Sequence, residues 1–331
     1  MFLKYIFTGA VVWFGFIPAG HAQQASPASS GQAYPARTVR IVIPYPPSGG
    51  NDIVARAYAD ELTRRLGQQV VIDNRPGGMT IIGSELVAKS PPDGYTVLVS
   101  SHSTFAIISN VNARLPFDVQ RDFAPVALLA IQPFALAVHP SLPANNLKQL
   151  IALARPQPGV LTYATSGIGT GGHFCGELLK VMSGINLRHI PYKGGGPALT
   201  DVVGGHVSMI VTSLSAERPF IQAKRLRLIA VTSAQRTRLA PEAPTMAESG
   251  VTGYEMRGWN AMVAPRGTPA AIIARLNAEV VAMIQSPEAR ERLDAQGYEP
   301  EASSPQQLAD LIKSELARYA KLVKVTGLKI E

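Results

Sequence analysis

The feature that most restricts the fold is an alternation of two kinds of segment. Short β-branched runs at TVRIVIP (38–44), QVVIDN (69–74) and TVLVSS (96–101) are separated by stretches whose apolar residues recur at helical spacing. In NDIVARAYADELTRRLG (51–67), Ile53, Val54, Ala57, Tyr58, Leu62 and Leu66 share one face, and Gly67 is placed to end the helix. TIIGSELVAKS predicts a shorter helix, and PPDGY a turn into the next strand. A second series runs through NLKQLIALARPQPG, LTYAT, a glycine-rich loop, RHIPY, PALTDVVGG, HVSMIVTS and RLRLIAVTS. Strand and helix signals in this order predict parallel βαβ units in open sheets.

Two apolar stretches interrupt the alternation. FAPVALLAIQPFALAVHP (123–140) and YEMRGWNAMVAP (254–265) read as extended crossings, and the chain after them is mostly helical. The predicted architecture is two α/β lobes joined by two crossing strands, with a cleft between them. Lobe 1 is expected over 35–138 plus 264–331, and lobe 2 over 139–263.

The compartment follows from the start of the chain. Lys4, the apolar run Tyr5–Ile17 and small residues up to Ala22 resemble an export signal cut near Ala22. The polar stretch 23–34 is expected to be a disordered leader. Removing 22 residues from 331 leaves 309, enough for two domains. Cys175 is the only cysteine, so burial alone must hold the fold, and its thiol is expected to be a small packed group. The net charge of +8 favours anionic solutes, and no Lys/Arg run interleaved with aromatics suggests nucleic acid. The histidines lack the spacing of a zinc site, so no metal is expected, and no cofactor either.

The loop YATSGIGTGGH (163–173) admits three readings. Gly167, Gly169 and Gly172 make a G-x-G-x-x-G behind a strand, the layout of a dinucleotide cradle. However, no acid stands about 20 residues on to hold a ribose, and His173 occupies the place of a Walker lysine. Glycine can also serve only to turn the chain. The third reading is an anion site at a helix N-terminus, where unpaired amides suit a carboxylate as well as a phosphate. The first half repeats the device: IVIPYPPSGGND places Ser48, Gly49, Gly50 and Asn51 before a helix opening near Asp52, with Asn51 placed to cap it.

With those loops in view, the chain resembles a known family. IVIPYPPSGGNDIVARAYADELTRRLGQQVVIDNRPGG, SPPDGYTVLVSS, LPFDVQRDFAPVALL, HIPYKGGGPALTDVVGGHV, LRLIAVTSAQRTRLAPEAPTMAESG and APRGTPAAIIARLN occur in family order. They resemble the extracytoplasmic receptors of tripartite tricarboxylate transporters, the Bug-type solute-binding proteins, from about Tyr34 to the C-terminus. The resemblance implies a periplasmic-binding-protein fold and a monomer that holds a small organic acid for membrane subunits of a tripartite transporter. It implies a ligand carboxylate met by backbone amides.

Carried over by position, the first lobe offers Tyr45, Pro47, Ser48, Gly49, Gly50 and Asn51, then Ser101, His102 and Ser103. The second offers Thr165, Ser166, Gly167, Thr170, His173, Lys193, Gly194 and Thr212. Many relatives have an aspartate soon after the methionine of HVSMIVTS, placed to meet a ligand amino group. Here Val211, Thr212 and Ser213 stand there, which argues against an amino-acid ligand.

Individual side chains keep two readings each. Lys193 either neutralises a second carboxylate or is solvated. His102 and His173 either donate to ligand or pack. Trp259 and Tyr45 either floor the cleft or fill a core. The competing class is a secreted hydrolase or nucleotide-using enzyme, but no G-x-S-x-G elbow appears, and Cys175 lies too near His173 in sequence for a catalytic pair.

Overall fold

The computed structural model describes residues 34–47, 50–112 and 114–326. The expected signal peptide, its cut near Ala22 and all of the leader except Tyr34 lie outside the described residues.

The first alternation forms β1 (Val39–Ile43), α1 (Gly50–Leu66), β2 (Val70–Asn74), α2 (Ile81–Ala88) and β3 (Thr96–Ser101). Strand β1 pairs in parallel with both β2 and β3, and three consecutive residues, Ile41, Val42 and Ile43, are buried. Burial on both faces explains why β1 reads as a continuous apolar run and not as an alternating one. In α1 the buried face is Val54, Ala55, Tyr58, Ala59, Leu62 and Leu66, and Gly67 ends the helix at φ 66. A single π-helical turn over Ser103–Ile107 follows β3 and leads into α3 (Ile108–Val111). The short α4 (Val119–Asp122) is capped by Asp118, whose carboxylate accepts from the Gln120 and Arg121 amides.

The first crossing consists of two strands, β4 (Phe123–Gln132) and β5 (Phe134–Val138), which belong to different sheets. Pro133 separates them, and a residue without an N–H suits a point where one ladder stops and another begins. The second alternation forms α5 (Leu147–Ala154), β6 (Thr162–Thr165), α6 (Gly171–Ser183), β7 (Arg188–Pro191), α7 (Gly195–Val203), β8 (Met209–Ser213), α8 (Leu214–Gln222) and β9 (Arg227–Val231). These give a five-stranded sheet in the order β7-β6-β8-β5-β9. Then β10 (Gly258–Pro265) returns to the first sheet, followed by α9 (Ala270–Ile284), α10 (Pro287–Ala295), β11 (Glu299–Pro300) and α11 (Pro305–Thr326). The first sheet has six strands in the order β11-β4-β10-β3-β1-β2.

The chain changes sheets at Pro133 and again before Gly258, not at the expected 138/139 and 263/264. Composition hid this, because β4 and β5 form one apolar stretch broken only by Gln132 and Pro133. Helix α11, within the 264–331 segment expected in lobe 1, reaches the second core as well. Its Leu308 and Ile312 pack with Trp259 and Leu128, whereas Tyr319 and Leu322 pack with Phe174 and Leu136 of the second lobe. A helix of 22 residues is about 33 Å long, enough to span both cores.

Candidate functional site

A cavity of about 440 Å³ opens between the lobes. Its walls are the segments that leave the C-terminal ends of parallel strands: Tyr45 after β1, Ser101–Ser103 at the end of β3, Ser166 after β6, and Thr212–Ser213 at the end of β8. That is where open α/β sheets present loops and helix N-termini to a ligand.

The first lobe contributes side chains tied to one another. Tyr45 Oη lies 2.8 Å from Ser101 Oγ and 3.3 Å from Thr104 Oγ1, and Thr104 donates to Thr80 Oγ1 at 3.0 Å. Asn51 sits inside the first turn of α1, which opens at Gly50. Its Oδ1 accepts from Asn260 Nδ2 at 2.6 Å, so this bond to β10 engages the oxygen expected to cap the helix. Gln132 Nε2 donates to Tyr298 Oη at 3.0 Å beside Gly50, where an added Cβ would stand 2.1 Å from that hydroxyl.

The second lobe contributes backbone. Gly167 (φ 138) and Gly169 (φ 76) turn the loop through left-handed conformations. Gly172 presses on β8 so closely that a Cβ there would stand 2.1 Å from the Val211 carbonyl oxygen. Thr170 Oγ1 donates to Gly167 O at 2.8 Å, leaving the first-turn amides of α6 without intrahelical partners at the cavity wall. Beneath the loop, Gly169 N donates to His173 Nδ1 at 3.2 Å. His173 stacks on His189 at 4.1 Å, and His189 stacks on Tyr163. Burial lowers both imidazoles, His189 to about 4, so both stay uncharged at neutral pH and His173 can accept that amide. Thr212 N donates to buried Glu217 at 3.1 Å, and burial pushes that carboxyl well above the usual range.

His102 joins the two halves. It is 5% exposed, with its ring among those of Phe134, Trp259 and Tyr319. Neither ring nitrogen has a full hydrogen-bond partner among the described residues. Burial pushes it down to about 4, an effect the Trp259 backbone only partly offsets.

Of the expected ligand residues, Tyr45, Gly50, Asn51, Ser101, His102, Ser103, Ser166, Thr170 and Thr212 line this cavity. Ser48 and Gly49 lie outside the described residues. Pro47 lines a separate groove with Arg56 and Arg292. Thr165 is buried, bonded to His189 Nε2 at 2.7 Å, while Gly167 shapes the loop and His173 supports it from below. Lys193 is exposed and Gly194 bonds to Ser166 O; neither lines the cavity. Trp259 does line it and also stacks on Phe105, so its floor and core readings both hold. Cys175 is buried in the second-lobe core, which pushes its thiol up to about 12.

Sequence reasoning missed Thr80, Gln132, Asn260 and Tyr298 on the first side and the apolar lining residues Met79, Ile107, Ile108, Val111, Phe134 and Ile168. Asn260 carried a usable signal, as the one amide in the apolar strand GWNAMVAP.

Two α/β lobes presenting helix N-termini to a shared cavity define a solute-binding receptor of the periplasmic-binding-protein type. The chain belongs to the tripartite tricarboxylate transporter receptor family, whose profile matches residues 54–328. It is 36% identical to Protein BugT of Bordetella pertussis, covering 93% of this chain and 94% of that one. Among solved structures it is similar to R. palustris Rpa4515 with adipate, at 38% identity and TM-score 0.77 over 89% of this chain and 99% of that one. It is also similar to MatC (Rpa3494) from Rhodopseudomonas palustris with bound malate, at 29% identity and TM-score 0.73 over 88% and 100%. This is a family of binding receptors, not of enzymes.

Proposed function

We propose that the protein is exported to the periplasm and, as a monomer, captures a small organic acid between its lobes and presents it to the membrane subunits of a tripartite transporter. The observation that carries this reading is the meeting of two helix N-termini, at Gly50 and at Gly171, on one cavity between the lobes. Amides and dipoles at both ends favour a carboxylate without a formal counter-charge. Relatives with adipate and malate support the ligand class. The ligand contacts are Gly50, Asn51, Ser101, His102 and Ser103 from one side and Ser166, Thr170–Gly172 and Thr212 from the other.

The test is calorimetric titration of the mature protein with a panel of carboxylic acids, followed by recovery of the bound acid. One or more acids should bind, raise the unfolding midpoint and be recovered unchanged. A panel without a binder, or chemical turnover of any member, contradicts the reading.

A further inference from the structure

Four consecutive residues between β2 and α2 have positive φ: Gly77 (126), Gly78 (55), Met79 (52) and Thr80 (80). Glycine adopts such conformations freely, whereas a Cβ makes them costly, most of all for a β-branched residue. Strain of this kind persists only where the surroundings offset it, and it gathers at functional sites.

For Thr80 the fold supplies the offset. Its side chain is buried, and Oγ1 accepts from Thr104 Oγ1 at 3.0 Å, next to the Tyr45 and Ser101 hydroxyls. Met79 is different. It is 49% exposed and joins none of the hydrophobic cores among the described residues. Its place is in the wall of the cavity between the lobes. Of the other apolar groups in that wall, Ile107, Ile108 and Phe134 are buried and held by the fold itself. Met79 is an unbranched, polarizable side chain on the open side of the first lobe, a type that adapts to the surface it covers.

Resting on the carboxylate reading above, we propose that Met79 is a specificity-determining residue. Its backbone is kept strained so that the thioether side chain lies over the carbon body of the bound acid, and the receptor thereby favours longer carbon chains.

Two pairs of acids test this, succinate with adipate and butanoate with hexanoate, because the members of each pair differ by two methylenes and not in charge. Titrated at neutral pH, the wild-type protein should bind the longer member of at least one pair about fivefold tighter or more. Met79→Ala and Met79→Gly both remove the cover, and each should cut that preference at least about threefold. Strain then separates the two variants. Without ligand, Met79→Gly should unfold at a higher temperature than Met79→Ala, since only glycine takes φ 52 without steric cost. No preference for the longer acid, an unchanged preference in the folded variants, or a Met79→Gly midpoint no higher than that of Met79→Ala overturns this inference and leaves the carboxylate reading standing. So does failure of all four acids when another member of the carboxylate panel binds. A panel without any binder overturns both.

Discussion

The two lobes bring a helix N-terminus to the same cavity by opposite means. Around Gly50 the first lobe uses side chains braced across elements: Tyr45 on Ser101, Asn51 on Asn260 and Gln132 on Tyr298. Around Gly171 the second lobe uses main chain, freed by glycines and supported underneath by the stacked His173, His189 and Tyr163 rings. A side-chain wall can be altered group by group, whereas a backbone wall fails as a unit when a carbon is added. On the proposed function, the first lobe is therefore where ligand preference would be tuned, and the second is where a carboxylate would be held.

The strongest way to break this contrast is to add bulk to the backbone wall. Gly172→Val places its Cβ against the Val211 carbonyl, a main-chain atom that cannot swing aside. Urea denaturation should show a loss of about 3 kcal/mol, with binding abolished. A loss under about 1 kcal/mol would mean that α6 slides freely on β8.

Acid should separate the lobes next. His102 is held near 4 when folded, against its ordinary 6.5, so the unfolded chain binds more protons between those values and stability rises with pH across that window. Stability is complete above about 6.5 and falls as pH drops towards 4, by roughly 2–3 kcal/mol from this group. His102→Phe, which suits the surrounding rings, should remove that share. The part due to His173 and His189 beneath the second loop should persist. Denaturation at neutral pH and at pH 4.5 checks both shares, and an unchanged acid slope in His102→Phe would exclude His102 as its source.

In the side-chain wall, Asn51→Ala or Asn260→Ala leaves the other amide buried without its partner. Each should cost about 1–2 kcal/mol, and the double variant little more than either single one. Full additivity would show that the pair is not a unit. The smallest effect is expected at Lys193, exposed and outside the cavity. Lys193→Met should change neither stability nor carboxylate affinity by more than about 0.5 kcal/mol. A selective loss of dicarboxylate binding would return it to the site.

Nine of the cavity's residues, Tyr45 through Thr212, were legible through the resemblance to the family, while the sequence by itself determined most of the strands and helices and the two loops that bear helix N-termini. These depend on neighbouring positions: β-branched runs favour strands, a 3.6-residue period marks one helical face, and glycine permits the left-handed turn at Gly169. Tertiary structure decided which distant segments face each other. It brought Asn260 against Asn51 and Tyr298 against Gly50, moved the lobe boundary to Pro133, laid α11 across both cores, and left Lys193 outside. Sheet order and crossover geometry are properties of the packed whole. No local window of residues carries them, because the free energy that selects one partner over another is released only when both are buried together.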